Sequence, residues 1–382
     1  MRKHCFFTLI ALLILLPRLG LAQPALKVGS LIPFDGRWGD SGRECAKGMV
    51  DAGKWLNQHG GVFGRKLEII LVDDTSQPAE TMAAYRKLNE ADRILILYIY
   101  SMETSLALLP HIHYDRIPAF IGSLPSPLAS PGKYPYLFSI TPTPLDSAKI
   151  AMKFISENSG IKVRRPKILF VGSSDYLGKH FLEEIKEYAR TLGLDTGSGI
   201  HLSGPFDPGP ALSAISAYSP DFVYVSLTPK ETFSLIQKAQ EKDVKTRWIC
   251  SPKAFDENLA PFNGILGVQP LSPFGENVPG MTGIKEAHQK WHPYDSHTLS
   301  YVEGWTNVLV MAEALGRSLP EQKLSRARLK DSLESLKDFV LGGLAPPLTF
   351  TAKDHRPSVE SRIFITKDGK LVRHTSFISV GR

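Results

Sequence analysis

The stretch Trp55-Leu56-Asn57-Gln58-His59-Gly60-Gly61-Val62-Phe63-Gly64-Arg65-Lys66-Leu67-Glu68, running on into Val72-Asp73-Asp74-Thr75-Ser76-Gln77-Pro78, holds a helix end, a strand and the start of another helix. Upstream, Cys45, Met49, Ala52, Trp55 and Leu56 recur at three- and four-residue steps, which predicts a helix over 41–58. His59-Gly60-Gly61 ends it, because glycine accepts the left-handed backbone that closes a helix. Gly64 then turns the chain into a strand over 66–72, and a second helix follows over 78–89.

Working outward, 26–33 is a short apolar strand and 94–99 a continuous apolar one, the kind buried on both faces of a parallel sheet. A helix over 102–114 and strands over 117–121 and 136–140 complete a first series. A second series has helices over 144–158, 177–192 and 230–241 and strands over 167–171, 199–202, 221–226 and 247–250. Helices then dominate, over 283–291, 298–317 and 325–336. The chain closes with strands over 362–366 and 371–378, joined at Lys367-Asp368-Gly369-Lys370, a hairpin turn. Strands alternating with helices at this spacing imply an α/β protein of two doubly wound parallel-sheet lobes. In such sheets ligands bind beyond the carboxyl ends of the strands, so two facing lobes would enclose a cleft.

The chain has 382 residues, with 45 Lys and Arg against 38 Asp and Glu, 43% hydrophobic residues and three cysteines. That is globular composition, enough for about two cores, and too poor in cysteine for a disulfide scaffold. Residues 1–22 read as an export signal: Arg2 and Lys3 lead, an apolar run spans 6–16, and Gly20-Leu21-Ala22 offers small residues for cleavage before Gln23. The run is too short to span a bilayer, and no cysteine stands at the cut for a lipid anchor. Removing 1–22 takes away Arg2, Lys3 and Arg18, so the net charge falls from +7 by three to +4. The densest basic cluster, Lys162, Arg164, Arg165 and Lys167, is interrupted by Pro166 and reads as a solvated loop, so no nucleic-acid partner is expected. Cys45 and Cys250, expected in different lobes, read as buried free thiols.

Motifs of catalysis and cofactor binding are missing. There is no Gly-x-Ser-x-Gly or His-Glu-x-x-His. Gly172-Ser173-Ser174-Asp175-Tyr176-Leu177-Gly178-Lys179-His180 has the wrong glycine spacing for a phosphate loop, and His180 replaces the hydroxyl. His288 and His292 stand four apart on a helix, but Gln289 replaces the glutamate of a zinc protease, and surface histidines are the simpler expectation. No enzyme, cofactor or metal is expected.

Three stretches together resemble one family: Lys27-Val28-Gly29-Ser30-Leu31-Ile32-Pro33 with Gly36 and Gly39, the opening stretch, and Tyr301-Val302-Glu303-Gly304-Trp305. They are similar to the exported substrate-binding proteins of branched-chain amino acid ABC transporters, the type I periplasmic binding proteins. The resemblance covers essentially the whole mature chain. It implies two lobes joined by three crossovers, lobe one over 26–140 plus 273–350 and lobe two over 141–272 plus 351–382. Hinges fall near Thr141-Pro142, 270–273 and 350–353.

The resemblance also implies ligand contacts. A carboxylate site maps to Ser101-Met102, opening a helix, and to Ser123-Leu124-Pro125, where Pro125 replaces the usual threonine. Trp38 falls at an aromatic position beside the ligand, and Tyr176 at a tyrosine that closes from lobe two. Thr228 and Tyr301 map near the cleft. Lys253 in Ser251-Pro252-Lys253-Ala254 stands where amino-acid binders carry the acid for the ligand's ammonium. A lysine there attracts an anion. Three readings follow: Lys253 holds the carboxylate of an organic acid; it faces solvent while Asp256 or Glu257 serves an amino acid; or it pairs with Glu103 across the closed cleft. The function implied is capture of a small carboxylate-bearing ligand in the periplasm and delivery to a membrane ABC permease, as a monomer. A sensor of the same fold acting on a kinase or chemoreceptor, and more remotely an exported enzyme, are the rivals.

Overall fold

The computed structural model describes residues 23–75, 77–173, 179–319 and 324–381. The first part of the chain runs β1 (Leu26–Ile32), α1 (Gly39–Gln58), β2 (Leu67–Asp73), α2 (Pro78–Arg86), β3 (Ile96–Ile99), α3 (Met102–Asp115), β4 (Ala119–Ile121) and β5 (Leu137–Phe138). It continues as α4 (Pro144–Asn158), β6 (Lys167–Gly172), α5 (Lys179–Thr191), β7 (Asp195–His201), α6 (Gly209–Tyr218), β8 (Phe222–Ser226), α7 (Pro229–Glu241), β9 (Arg247–Cys250) and β10 (Leu266–Gln269). The last part is α8 (Met281–Trp291), α9 (Leu299–Ser318), α10 (Arg326–Glu334), β11 (Glu360–Lys367), β12 (Lys370–Arg373) and β13 (Ile378–Ser379).

These strands form two sheets. One is five-stranded and wholly parallel, in the order β2-β1-β3-β4-β5. The other has the order β12-β11-β10-β9-β8-β6-β7, parallel from β10 to β7 and antiparallel where β11 joins, with β13 also on β11. Helix α4 packs on the second sheet, whereas α8 and α9 return to pack with α1 beside the first, and α10 packs on α9. The chain therefore crosses between lobes three times: after β5, after β10 and before β11. All four residues of β3 and all five of β8 are buried, which explains the apolar character of β3 and of β8 up to Val225.

Helices α1 and α9 touch backbone to backbone. A β-carbon on Gly48 would lie 2.0 Å from the Tyr301 carbonyl oxygen, and one on Gly304 equally close to that of Cys45. This contact holds the start of α9 at the mouth of the first sheet.

Several elements differ from the sequence-based expectation. Strand β10 and helix α6 were not expected. Gly264 and Gly267 make the β10 region look like a turn, yet Gly267 is there because the Phe255 ring lies on it; a β-carbon would stand 2.1 Å from Phe255 Cγ. Helix α6 starts at Gly209-Pro210, behind Pro208, punctuation that hid it; its first turn tolerates proline because those N–H groups have no helical partner. The helix expected to reach residue 89 stops at Arg86 and continues as a π-helical turn, Lys87–Ala91. The strand expected over 371–378 is split. His374 and Thr375 both donate N–H to the Ile363 carbonyl, at 2.8 and 3.2 Å, so two residues oppose one and the strand kinks.

Cys45 on α1 and Cys250 on β9 are free and buried, and burial pushes both thiols up. His288 and His292 are half-buried rather than surface residues. They sit with the buried His297 in an aromatic group that includes Phe274 and Tyr301. Among the described residues no cluster of three or more His, Cys, Asp or Glu side chains is arranged to hold a metal. The segment 1–22 and Tyr176 lie outside the described residues.

Candidate ligand-binding cleft

The carboxyl ends of the two sheets face each other. From the first lobe come Tyr100 after β3, Gly122 and Ser123 after β4, Ser41 on α1, and Ser300 and Glu303 on α9. The second lobe contributes Ser147 on α4, Ser226 ending β8, and Ser251, Lys253 and Asp256 after β9. Thr141-Pro142 and Gln269-Pro270-Leu271, on two crossovers, complete the wall. The cavity between them is small, about 50 Å³. Its lining is rich in hydroxyls, and those of Ser147 and Ser251 are sealed from solvent with no protein partner.

An ion pair spans this cavity. Lys253 Nζ donates to Glu303 Oε1 and Oε2 at 2.8 and 2.7 Å and lies 4.4 Å from the centre of the Tyr100 ring. The two side chains are 15% and 8% exposed. Lys253 is held on a short 3-10 turn, Pro252–Ala254, clamped by Gln269, whose amide donates to the carbonyls of Pro252 and Phe255 at 2.7 and 2.8 Å. Glu303 also accepts the Tyr98 hydroxyl at 3.3 Å. Leaving either member of such a pair without the other costs about 3–5 kcal/mol.

A second tie lies at the rim. Arg37, on the turn after β1, donates from Nε and Nη2 to the two carboxylate oxygens of Glu231 at 2.8 and 2.9 Å. Glu231 is in the first turn of α7 and belongs to a capping box with Thr228. Two acids from the second lobe are shifted. Burial raises Asp256 to about 6, although the Asn258 N–H groups oppose this. Burial, then Asp256, raises Glu257 to about 8. Glu257 accepts the N–H of Leu299, at the start of α9, at 2.7 Å and that of Phe274 at 3.2 Å.

A family model described as periplasmic binding protein matches residues 25–370. The chain belongs to the periplasmic binding protein family. Its fold is the type I fold of that family. Among solved structures, a branched-chain amino acid ABC transporter protein from Thermus thermophilus with bound valine aligns with a TM-score of 0.85 at 20% identity, covering 94% of this chain and 98% of that one. A fatty acid ABC transporter substrate-binding protein from Thermomonospora curvata aligns at 0.82 and 20% identity, covering 94% of each. A solute-binding protein from R. palustris in complex with benzoate aligns at 0.77 and 17% identity, covering 92% and 95%. None of the curated proteins matches the sequence.

In this periplasmic binding protein the expected site residues fall in three groups. Lys253 and Ser123 line the cavity, and Trp38 packs near it, its ring centre 6.3 Å from that of Tyr100. Ser101, Met102, Pro125 and Thr228 lie at element starts around the cleft and do not line the cavity. The Ser101 hydroxyl accepts the Thr104 N–H at 3.2 Å and donates to Asp74 Oδ2 at 3.0 Å. Thr104 and Thr81 also donate hydroxyls to Asp74, at 2.6 and 3.3 Å. The positive end of α3 thus already carries a carboxylate, that of Asp74. Thr228 spends its hydroxyl capping α7, and Pro125 gives its carbonyl to Leu128 N–H.

Tyr301 points away from the cleft. It is fully buried, donates to Asp51 Oδ2 at 2.9 Å and stacks on His297. The acid that accepts both hydrogen bonds from Lys253 is Glu303; Glu103 is exposed on the first turn of α3. Glu303 was quoted in the Tyr301–Trp305 motif without a role. Its signal was available: it is the one carboxylate in a run of α9 whose residues 299–308 are all buried.

Proposed function

We propose that this protein is an exported, monomeric solute-binding protein. It captures a small carboxylate-bearing solute in the periplasm by cleft closure and passes it to a membrane ABC permease, without chemistry on the solute. The observation that carries this reading is Lys253, projected from one lobe across a small, hydroxyl-lined cavity onto the other. The names of the aligned structures support it: valine, fatty acid and benzoate all carry a carboxylate. Lys253 receives that carboxylate, and Ser123, Ser147 and Ser251 offer hydroxyls beside it.

The lobes, 26–140 plus 273–350 and 141–272 plus 351–382, move as two bodies about the crossovers. Solute contacts from both favour the closed state over the open one. A cavity of about 50 Å³ is well below the roughly 150 Å³ that accommodates benzene, so entry of a solute requires the lobes to part and the Lys253–Glu303 contact to give way. Thermal unfolding against a panel of amino acids, organic acids and aromatic acids tests the reading. A solute at about a hundred times its Kd adds about 2.7 kcal/mol and raises the melting point by degrees. A panel with no carboxylate-bearing compound that does so would sink it.

A further inference from the structure

The turn that carries Lys253 is too short to hold itself. Pro252–Ala254 is a single 3-10 turn, closed by the Ala254 N–H on the Ser251 carbonyl at 3.0 Å. The end of β10 seats it. The Phe255 ring lies on Gly267, and Gln269, the last residue of β10, donates from Nε2 to the carbonyls of Pro252 and Phe255, one on each side of the lysine, at 2.7 and 2.8 Å. Both neighbours are acceptors, so only the NH2 end of the amide can face them, and each of its two hydrogens is committed to one carbonyl. Gln269 is 2% exposed and lines the cavity. The residues that follow it, 270–273, begin the crossover into the first lobe. One residue therefore ends a strand, precedes a crossover and holds the backbone on both sides of the lysine.

We propose that Gln269 is the positioning residue of the cleft: by clamping the turn to the last residue before the second crossover, it presents Lys253 to the first lobe in one fixed orientation. Lysine has a long, freely rotating stem, so a backbone that wanders at its root spreads the ammonium over many positions. Held at Pro252 and Phe255, the root moves with β10 as a rigid part of the second lobe, and closure brings the ammonium to the first lobe already aimed. This rests on the solute-binding reading, in which Lys253 receives the carboxylate, and adds to it the residue that makes the lysine ready. Gln269→Leu removes both donors and leaves two carbonyls without them. Gln269→Glu donates only while its carboxyl is protonated, with one hydrogen for two carbonyls, and repels them when ionised.

Competitive acetylation of the purified protein with acetic anhydride, read lysine by lysine by mass spectrometry, reports how well Lys253 is held and needs no solute. Lys330 on α10 is the internal reference, a lysine 20% exposed and bound to Glu334 at 2.8 Å. In Gln269→Leu the Lys253 amine is expected to react about tenfold faster than in the wild type, with Lys330 unchanged. In Gln269→Glu the rate at Lys253, divided by the wild-type rate at the same pH, should stay near unity at about pH 5 and climb toward that of Gln269→Leu by about pH 8, as the buried carboxyl ionises. A side chain that merely fills space gives no such profile. If Gln269→Leu does not fold, the Gln269→Glu profile decides. A wild-type rate at Lys253 in Gln269→Leu, an equal rise at Lys330, or a flat Gln269→Glu profile overturns the proposal and leaves the solute-binding reading intact. That reading fails separately, when no carboxylate-bearing compound raises the melting point, and the labelling result then still stands.

Discussion

Of the ion pairs described between the lobes, two stand at the cleft, Arg37–Glu231 and Lys253–Glu303, and they differ in what surrounds them. Arg37 and Glu231 meet at the rim, 33% and 14% exposed, and Glu231 has a second task at the start of α7. Burial pushes its carboxyl up, but Arg37 and the Thr228 N–H outweigh this and leave it below its ordinary value. Lys253 and Glu303 meet inside the cavity, at less than half that exposure for the cation. The rim pair has water as a ready substitute for either partner, so it opens and closes at small cost. The deep pair does not. Its two charges offset each other's desolvation, so separating them costs more than separating the rim pair. The buried contact is therefore the harder of the two to separate.

The largest expected effect breaks the deep pair from one side. Glu303→Ala leaves Lys253 buried without its carboxylate and should destabilise the protein by about 3–5 kcal/mol in urea unfolding. Replacing both members with methionine should recover most of that loss; if the double variant is as unstable as the single one, the pair is not what Glu303 contributes.

Glu257 sharpens the contrast, because it crosses from the second lobe to the start of α9 and meets N–H groups there instead of a cation. Its pKa is raised from 4.5 to about 8, so the folded state holds its proton more tightly than the unfolded one. The stability this contributes is complete below about pH 4.5 and is lost as pH rises toward 8. Between pH 5 and 8 the wild type should lose about 3.5 kcal/mol more than Glu257→Gln, read from urea unfolding at each pH. Parallel profiles would show that Glu257 is ionised throughout.

Arg37→Ala should have the smallest effect, below about 1 kcal/mol, and fade further in high salt. Small-angle scattering should show a larger radius for the variant at low ionic strength. A loss as large as that of Glu303→Ala would erase the distinction between rim and depth.

Much of the fold was legible because its signals are local. Strands buried on both faces, such as β3 and most of β8, are apolar along their length, and α1 carries its buried residues at helical spacing. Strand β10 was not legible, since Gly267 is dictated by the ring of Phe255, a neighbour only in the folded chain. The site divided in the same way. Lys253 could be singled out by its place after β9. Ser101 suggested an open anion site, but Asp74 folds back onto it from the loop after β2. Tyr301 and Glu303 are two residues apart on α9, so they point to nearly opposite sides of the helix, and the motif alone did not show which one turned toward the cleft.

The sequence by itself determined most of the order of elements, the two parallel-sheet lobes and the presence of a lysine at the end of β9. These follow from patterns of burial and turning that repeat within a few residues. Only the tertiary structure decided which acid faces that lysine. Glu303 lies fifty positions away and on the other lobe, and its meeting with Lys253 depends on the close approach of α1 and α9 at Gly48 and Gly304 and on the lobes having closed. No local period encodes a distance across a cleft.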